Sequence, residues 1–367
     1  MNVLIVFTYD YSIRTWSESG TFLKEIEIYK LLAEKGINFT FLTYSESEPN
    51  FDILEDKNIK VISVYEKIKK SKYKKINYFK SFLVPFRLKK DLDNIDLIKQ
   101  NQLLGSWVAI ILKYILKKPL LIRTGYDMYE FSIKEDKSFF IKFLYKFLTK
   151  ISLKHSDMYT VSSKSDINFL RSNFNIQNKT IEIRPNWVKE INYQKLEKRY
   201  ENKIISIGRL EDQKNFEFLI SSFANTEYEI DIVGEGSLLE NLKKSALEKQ
   251  TKVNFLGKLE NNEVLNLLTK YRYYISTSKF EGNPKGTLEA LSAGCIVFLS
   301  DIPNHSELIK HKSSGFIFST SEDLYQMFKE SLKNDLDNIS KNAVKSVIRN
   351  NSIEKISNQE FIDFKSL

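Results

Sequence analysis

The stretch Lys203–Phe223 has the sequence KIISIGRLEDQKNFEFLISSF, and its pattern predicts the fold of the chain. Lys203–Ile207 has the length and apolar content of a buried strand, and Phe216–Phe223 has the apolar spacing of a helix. Alternating strands and helices are typical of a doubly wound, mostly parallel sheet, so we expect an α/β fold. Further along the chain, the same alternation predicts strands at Glu229–Val233, Val253–Phe255, Tyr273–Ser276 and Ile296–Leu299, with helices at Leu238–Ala246, Glu263–Leu268 and Thr287–Ala293.

The first half of the chain has the same alternation. Because 367 residues exceed the usual size of one hydrophobic core, two sets of elements imply two Rossmann-like domains. We predict domains at 1–190 and 191–345, with the boundary in the polar stretch Pro185–Tyr200, and expect residues 346–367, which include the helical pattern Ile353–Phe364, to pack back on the first domain. The predicted strands of the first half are Asn2–Phe7, Ile37–Leu42, Ile59–Val64, Leu97–Ile98, Leu120–Ile122 and Met158–Val161, and its helices are Phe22–Leu32, Trp107–Leu116 and Phe139–Leu153.

The composition of the chain indicates which kinds of partner it could bind and which cellular compartment suits it. The formal net charge of +9 suits a phosphate-bearing substrate, an acidic membrane surface or nucleic acid. Cys295 is the only cysteine, so disulfides within the chain and cysteine-based zinc sites are excluded, which fits a reducing cytoplasm. The apolar start Asn2–Phe7 has no preceding basic region and predicts a strand rather than a signal peptide. No apolar run approaches the roughly 20 residues that span a bilayer.

A dinucleotide cofactor is not expected in the first half. The segment Thr8–Gly20, which follows the first predicted strand, contains a single glycine and lacks the G-x-G-x-x-G pattern. We therefore predict no cofactor.

Two basic residues follow the predicted strand Lys203–Ile207. Arg209 comes directly after Gly208, and Lys214 lies five residues further on. A pair of cations at a strand end could clamp a pyrophosphate and stabilise it as it leaves. A surface turn with ordinary solvated charges explains the same residues equally well.

A short glycine turn follows the next predicted strand. Gly234 and Gly236 lie between Glu229–Val233 and the helix Leu238–Ala246. Such a turn lets backbone N–H groups approach an anion at the start of a helix. Glycine turns are also common structural features, and taken alone this turn favours the structural interpretation.

Two glutamates enclose a loop that opens a helix. Glu281 and Glu289 have seven residues between them, and the enclosed segment presents backbone donors at a helix N-terminus. Carboxylates suit sugar hydroxyls because they accept two hydrogen bonds in defined geometry. The pattern therefore indicates a nucleotide-sugar site; the alternative is a capping region followed by a buried, salt-bridged Glu289. The enclosed residues are Gly282, Asn283, Pro284, Lys285, Gly286, Thr287 and Leu288.

Taken together, these motifs resemble the family 4 retaining glycosyltransferases of GT-B fold. The similarity runs through Lys203–Phe318 and includes Ala290–Gly294 and the closing Gly315–Ile317. Arg184–Val188 is similar to the I-P-N-G-V segment that precedes the second domain in the family, with Trp187 in place of the glycine. The resemblance implies two Rossmann-like domains facing a cleft, with the acceptor bound by the first domain and the sugar donor by the second.

The resemblance also implies roles for individual residues. Arg209 and Lys214 would bind the donor diphosphate, Glu281 would bind hydroxyls of the donor sugar, and Glu289 would bind the ribose hydroxyls. Transfer would proceed with retention and without a metal, because the two cations neutralise the leaving diphosphate; Arg209, Lys214 and Glu281 are thus the predicted catalytic residues. The remaining predicted donor-binding residues are Gly208, Gly234, Gly236, Asn283, Pro284, Lys285, Gly286, Thr287 and Leu288.

The first half departs from the family pattern. Many members have a histidine in the loop that corresponds to Arg123–Asp127, and this chain has none there. Arg123 and Asp127 are the candidates to substitute for it, although Asp127 could equally cap a turn. Tyr9 and Gly20, in the region of the family's acceptor loop, complete the predicted acceptor side.

The segment Tyr65–Asp91, which we call the basic-aromatic segment, combines many lysines with aromatic residues. Such a mixture suits an anionic bilayer surface. It also suits nucleic acid, and a lysine-rich solvated loop is a further possibility. We expect membrane contact and no nucleic acid, because the segment has no recognised nucleic-acid-binding motif.

The function expected from these features is a hexosyl- or N-acetylhexosaminyl-type transferase at the cytoplasmic membrane face. It would use a UDP- or GDP-sugar and a glycan or polyprenyl-linked acceptor to build O-antigen, capsule or lipopolysaccharide. The alternatives are a nucleotide-sugar epimerase of similar fold and a non-catalytic sugar-nucleotide-binding subunit.

Overall fold

A computed structural model describes residues 1–48, 58–192, 194–319 and 323–367. It consists of two compact units. The first comprises Met1–Pro185 together with Ser357–Leu367, and the second comprises Asn186–Ile356. The chain thus passes from the first unit to the second between Pro185 and Asn186, and returns to the first unit between Ile356 and Ser357, within its last helix.

The first unit is built on a seven-stranded parallel sheet of order β3-β2-β1-β4-β5-β6-β7. Its strands are β1 (Asn2–Val6), β2 (Asn38–Thr43), β3 (Ile59–Ser63), β4 (Leu97–Asn101), β5 (Leu120–Arg123), β6 (Met158–Val161) and β7 (Thr180–Ile183). Its helices are α1 (Ile13–Glu18), α2 (Phe22–Glu34), α3 (Val64–Lys67), α4 (Lys74–Ser81), α5 (Val84–Leu88), α6 (Ser106–Leu116), α7 (Met128–Lys134), α8 (Phe139–His155) and α9 (Lys164–Asn173).

The second unit contains a six-stranded parallel sheet of order β10-β9-β8-β11-β12-β13. Its strands are β8 (Tyr200–Ile207), β9 (Glu229–Val233), β10 (Lys252–Gly257), β11 (Tyr271–Ser276), β12 (Ile296–Ser300) and β13 (Phe316–Phe318). Its helices are α10 (Phe216–Ser222), α11 (Leu239–Glu248), α12 (Asn261–Leu268), α13 (Lys285–Ser292), α14 (Pro303–Ser306), α15 (Leu324–Ser331) and α16 (Leu336–Asn351), followed by α17 (Ile353–Ser366), which ends in the first unit.

The central strands of the second unit contribute apolar side chains to both faces of the sheet. Ile204 belongs to one core cluster and its neighbour Ile205 to the other, as expected for successive residues of a strand. Likewise, Phe298 belongs to the same core cluster as Ile204, and its neighbour Val297 belongs to the same cluster as Ile205. Near-continuous apolar runs are typical of parallel strands buried on both faces, which is why the sequence predicted β8, β11 and β12. The three-residue strand β13 was not predicted.

The final turns of α17 are tied to the first unit by two buried ion pairs. The guanidinium of Arg184, just after β7, donates to both carboxylate oxygens of Asp363 at 2.7 and 2.5 Å. The Lys99 ammonium on β4 lies 2.8 Å from the Glu360 carboxylate. All four side chains are largely buried, so removing one partner would leave an uncompensated charge in the interior.

Several local predictions need correction. Thr8–Gly20, expected as a loop, contains helix α1. The basic-aromatic segment contains helices α4 and α5, which argues against the alternative of one solvated loop. Strand β7 was not predicted because its residues alternate between exposed and half-buried, as in an edge strand with one face toward solvent.

Candidate functional site

The loops after β8 and β9 lie against each other and continue the pairing of these strands. The Gly208 N–H donates to the Val233 carbonyl at 2.9 Å, and the Leu210 N–H donates to the Glu235 carbonyl at 2.9 Å. A Cβ on Gly234 would overlap the Gly208 carbonyl oxygen, and a Cβ on Gly236 would overlap the Leu210 backbone. The glycines are therefore required by close backbone packing, in agreement with the structural interpretation of this turn.

Arg209 and Lys214 have different surroundings. Arg209 is exposed, and within the described residues its side chain forms no ion pair or hydrogen bond. The Lys214 side chain is 18% exposed and lies over Gly208, whose missing Cβ leaves room for it. The Lys214 ammonium forms an ion pair with Glu281. The structure thus brings together two residues to which the sequence had assigned separate ligands.

Glu281 is held in place by its own loop. It is 7% exposed, and its carboxylate accepts a hydrogen bond from the Ser278 hydroxyl at 2.7 Å in addition to the ion pair with Lys214. The Gln213 amide donates to the Phe280 carbonyl at 2.8 Å, and the Thr277 hydroxyl donates to the Lys214 carbonyl at 2.9 Å. The loop after β8 and the loop after β11 are therefore joined, and the carboxylate has a fixed orientation.

His305, in helix α14 shortly after β12, extends this network and was not singled out by the sequence. Its Nδ1 lies 3.0 Å from the Ser300 carbonyl oxygen, and the Ser300 hydroxyl donates to the Ser278 carbonyl at 2.6 Å. Burial lowers the pKa of His305 to about 4, so the ring is neutral near pH 7. Because a carbonyl only accepts, the proton is on Nδ1, and Nε2 has no hydrogen-bond partner among the described residues. The feature of the sequence that could have identified His305 is its position shortly after the predicted apolar strand Ile296–Leu299.

Helix α13 begins directly beside the end of β8. A Cβ on Gly286 would lie 3.3 Å from Ile207, so glycine allows the first turn to approach the strand closely. The first N–H groups of any helix have no acceptor within it, which makes this turn suitable for an anion. Lys285, Gly286 and Thr287 form this turn.

Three predicted donor-binding residues have structural partners. Asn283 accepts a hydrogen bond from the Asn186 N–H at 2.7 Å, and its carbonyl accepts one from the Asn186 amide at 2.6 Å. Pro284 is the N-cap residue of α13. The Leu288 N–H donates to the Pro284 carbonyl at 3.1 Å and its side chain belongs to the core, so Leu288 has no polar group left for a ligand. The role of Leu288 in donor binding stays a prediction.

Glu289 is buried in the second turn of α13. It is 5% exposed, and its carboxylate accepts a hydrogen bond from the Asn261 side-chain amide at 2.9 Å. This contact fixes one oxygen of the carboxylate.

The predicted acceptor-side residues lie in the first unit. Tyr9 is half-buried, and its ring packs against Tyr44, Tyr78 and Trp107 with centroids 5.2 to 5.8 Å apart. Gly20 has a φ of +71° in a buried turn between α1 and α2, so its role there is conformational.

The other two acceptor-side residues follow β5. Arg123 donates to the Arg184 carbonyl at 3.4 Å. Asp127 is the N-cap of α7 and accepts hydrogen bonds from the Glu130 N–H at 2.9 Å and the Thr149 hydroxyl at 3.0 Å. Asp127 is 2% exposed, and burial raises its pKa to about 6. The structure thus shows a buried capping residue where the sequence left a choice between acceptor contact and cap.

Two further searches cover only the described part of the chain. It contains no group of three or more His, Cys, Asp or Glu side chains arranged to hold a metal ion. No helix within it has both the length and the apolarity to cross a membrane.

The second unit matches a known sequence family. Residues 188–347 match the family described as glycosyl transferases group 1. Over these residues the second unit is a group 1 glycosyl transferase domain. The resemblance inferred from Gly208–Arg209, Lys214 and the two glutamates is confirmed.

Curated relatives of the chain are distant in sequence. An uncharacterized glycosyltransferase of Haemophilus influenzae is 25% identical, with 82% of each chain covered. The N-acetylgalactosamine-N,N'-diacetylbacillosaminyl-diphospho-undecaprenol 4-alpha-N-acetylgalactosaminyltransferase of Campylobacter jejuni is 28% identical over 56% of this chain and 58% of its own. A capsular polysaccharide biosynthesis glycosyltransferase, CapH of Staphylococcus aureus, is 33% identical over 32% of this chain and 36% of its own.

Solved structures share the fold of this glycosyl transferase over its full length. Sucrose-phosphate synthase of Thermosynechococcus elongatus has a TM-score of 0.81 at 14% identity, covering 100% of this chain and 99% of its own. Anabaena Alr3699/HepE in complex with UDP has a TM-score of 0.75 at 14% identity, covering 100% of both chains. The expected GT-B-like architecture of two parallel α/β sheets is confirmed.

Proposed function

We propose that the second unit binds a nucleotide-sugar donor at the carboxyl ends of β8 and β11. The observation that carries this proposal is the strand order, which reverses between these two neighbours. In open parallel sheets, ligands bind where the order reverses. Arg209 and Lys214 follow β8, whereas Glu281 and the first turn of α13 follow β11. The charged residues predicted to bind the donor therefore lie where the strand order reverses, either in the loops after β8 and β11 or in the first turn of α13. Glu289, in the second turn of α13, is the exception.

The diphosphate of the donor would be bound by Arg209 and the first turn of α13. Arg209 is exposed, and no described residue neutralises its guanidinium, so it is available to an anionic ligand. Guanidinium groups match phosphate oxygens in geometry as well as in charge. Lys214 would supply a second positive charge, and the N–H groups of α13 would supply hydrogen bonds.

The sugar and the ribose would be distinguished by the two glutamates. Lys214 and Ser278 hold the Glu281 carboxylate in one orientation, and this carboxylate would accept hydrogen bonds from hydroxyls of the donor sugar. Asn261 holds one oxygen of Glu289, and this carboxylate would accept hydrogen bonds from the ribose hydroxyls. Fixed carboxylates of this kind give specificity because a misplaced hydroxyl cannot form a well-aligned hydrogen bond with them.

The proposed reaction is retaining, metal-independent transfer of a hexosyl or N-acetylhexosaminyl group from a UDP- or GDP-sugar. The acceptor would be a glycan or polyprenyl-linked glycan in the synthesis of O-antigen, capsule or lipopolysaccharide. The names of the Campylobacter and Staphylococcus relatives, which act on an undecaprenol-linked glycan and in capsule synthesis, support this direction. The first unit, with Tyr9 and Arg123, would bind the acceptor at the cytoplasmic face of the membrane, reached through the basic-aromatic segment.

The proposal is tested with purified protein and a panel of UDP- and GDP-sugars. A bound donor at 100 times its Kd should stabilise the fold by about 2.7 kcal/mol, and transfer should continue in excess chelator. Arg209→Ala should lower turnover by roughly 10²–10³. Arg349→Ala, which removes an exposed arginine from α16, is the matched control and should retain full turnover.

Three results would contradict the proposal. Donor isomerisation without an acceptor would indicate an epimerase, and stabilisation without any product would indicate a binding subunit. Turnover that stops with chelator and returns with Mg²⁺ would show that the cations do not replace a metal.

A further inference from the structure

Helix α8 exposes a row of large apolar side chains on the first unit. The first ten residues of this helix, 139–148, include no buried side chain; Thr149 is the first buried residue. Phenylalanine is normally among the most buried residue types, so several exposed ones on a single helix require an explanation. The exposed fractions are 84% for Phe139, 67% for Phe140, 54% for Phe143, 44% for Leu144 and 53% for Phe147.

These side chains form one continuous face. Their spacing of one, four, five and eight residues from Phe139 places them on the same side of a helix. The opposite side attaches α8 to the unit: Ser152 lies 2.9 Å from Ser106, and Thr149 donates to Asp127. Helix α8 is thus fixed at its C-terminal half and presents an apolar face, which we call the α8 face, at its N-terminal half.

The charge of α8 is entirely positive. Its 17 residues include Lys142, Lys146, Lys150 and Lys154 at every fourth position and no Asp or Glu. Lys142 pairs with Asp136 of the preceding turn, and the Lys146 ammonium lies 5.3 Å from the centre of the Tyr129 ring. Lys150 and Lys154 are exposed and form no ion pair within the described residues. A partner of this helix must therefore accept apolar side chains and carry negative charge.

We propose that the α8 face inserts into the interface of an anionic lipid bilayer, with its lysines on the headgroups. Phenylalanine on one face and lysine beside it is the composition of helices that lie in the membrane plane. A second copy of the chain does not fit, because contact through α8 would bring the lysines of both helices together without a carboxylate. At 1.5 Å per residue the helix is about 26 Å long, shorter than the roughly 30 Å of a hydrocarbon core, so it would lie in the surface.

The α8 face extends the membrane contact beyond the basic-aromatic segment. That segment also exposes apolar side chains, led by Phe79 at 70% and Phe86 at 64%. Helix α6 packs against both α5 and α8, so the two exposed regions belong to neighbouring helices of the same unit. This inference rests on the proposed membrane partner but not on the proposed donor site or transfer reaction.

Vesicle binding without any nucleotide sugar provides the test. The full chain is mixed with vesicles of phosphatidylcholine alone and of phosphatidylcholine with phosphatidylglycerol, and the bound fraction is measured by sedimentation. The parent should bind the anionic vesicles, and the combined variant Phe139→Ser, Phe140→Ser, Phe143→Ser should bind roughly 10- to 100-fold more weakly. Lys150→Gln with Lys154→Gln should weaken binding by roughly fivefold per lysine at low salt and less at high salt.

Matched controls separate this face from others. Leu247→Ser on α11 and Ile362→Ser on α17 remove apolar side chains that are 80% and 65% exposed elsewhere, and both should bind as the parent does. Charge reversal of Lys69, Lys70, Lys74 and Lys75 tests the basic-aromatic segment separately. If only that reversal releases the protein, the membrane partner stands and the α8 inference fails. Unchanged melting temperatures show that the variants are folded.

A depth measurement gives a second readout. Cys295 is buried, so a nitroxide label attached after Phe143→Cys or Leu247→Cys reports on the new position alone. The label at 143 should become accessible to oxygen and protected from a water-soluble relaxation agent when anionic vesicles are added, whereas the label at 247 should not change. Failure of the parent to bind, binding unaffected by the serine variant, or a concentration-dependent dimer that this variant abolishes would overturn the inference.

Discussion

The Lys214 ammonium forms an ion pair with the Glu281 carboxylate, and the two side chains are 18% and 7% exposed. The residues are 67 positions apart in the chain, at the ends of two neighbouring parallel strands. The pair gives each charge a partner before any ligand arrives. It also means that neither residue can be changed without affecting the other.

Substitution of this pair should be strongly non-additive. Lys214→Ala and Glu281→Gln should each lower turnover by roughly 10²–10³, and the double variant should be within about tenfold of the worse single variant. Each single change should also lower the free energy of unfolding by about 1.5–3 kcal/mol, the range for a hydrogen bond to a charged group. Steady-state kinetics and urea unfolding of all four proteins measure both effects. Independent, multiplying losses would mean that the two residues act on separate ligands without coupling.

The two glutamates should separate donor binding from nucleotide binding. Glu281→Gln should weaken binding of the sugar donor while leaving the free nucleoside diphosphate almost unaffected, because only the donor carries the sugar. Glu289→Gln should weaken both ligands, because the ribose is common to them. Each affected ligand should lose about 1.5–3 kcal/mol of binding free energy. Calorimetric titrations decide the question, and equal weakening of diphosphate binding by both variants would refute the division of roles.

The glycine turn after β9 should be intolerant of any side chain. Gly234→Ala should destabilise the second unit by several kcal/mol, because the new Cβ would overlap the Gly208 carbonyl oxygen and overpacking adds to the strain of a φ of +141°. Gly257→Ala is the matched control. Gly257 also has a positive φ, of +69°, but nothing lies within 4 Å of its Cβ position, so only about 1–2 kcal/mol should be lost. Chemical unfolding compares the two, and similar losses would contradict the packing argument.

Asp127 should make the stability of the fold pH-dependent. Burial raises its pKa from 3.8 to about 6, so the folded chain binds more protons than the unfolded chain between these values. The free energy of unfolding therefore falls as the pH rises from about 4 to 6, because above pH 6 the folded chain must bury a charged carboxylate. Asp127→Asn keeps the cap without the charge, so its free energy of unfolding relative to the parent should rise between pH 4.5 and pH 7.5.

Asp127→Ala separates the cap from the charge. It loses the hydrogen bond to the Glu130 N–H, so it should be less stable than Asp127→Asn by about 1 kcal/mol at both pH values. Urea unfolding of the three proteins at the two pH values measures these differences. A constant difference between parent and Asp127→Asn would show that the carboxyl group is not destabilised by its burial.

The sequence alone was enough to predict the architecture of two parallel α/β sheets. Glu229–Val233 and Met158–Val161 were predicted with the bounds that the structure has, because both are short and rich in residues that favour strands. The resemblance to the family could be recognised from the sequence, because its motif residues follow one another in a fixed order at strand ends, where the pattern changes from strand to helix. These residues are Gly208–Arg209, Lys214, Gly234, Gly236 and the two glutamates. Edge strand β7 was missed because its alternating residues produce no continuous apolar run.

Only the tertiary structure decided which of these residues meet. The spacing of Arg209 and Lys214 suggested one phosphate clamp but gave no sign that Lys214 also pairs with Glu281, because that contact arises from the neighbouring ends of β8 and β11. His305 joins the same network through Ser300, a contact that depends on the neighbouring position of β12. Likewise, the apolar spacing of α8 predicted a helix between strands, but not that its first ten residues would remain uncovered. Local sequence determines the elements, whereas contacts between distant segments and the burial of each face depend on how the whole sheet is assembled.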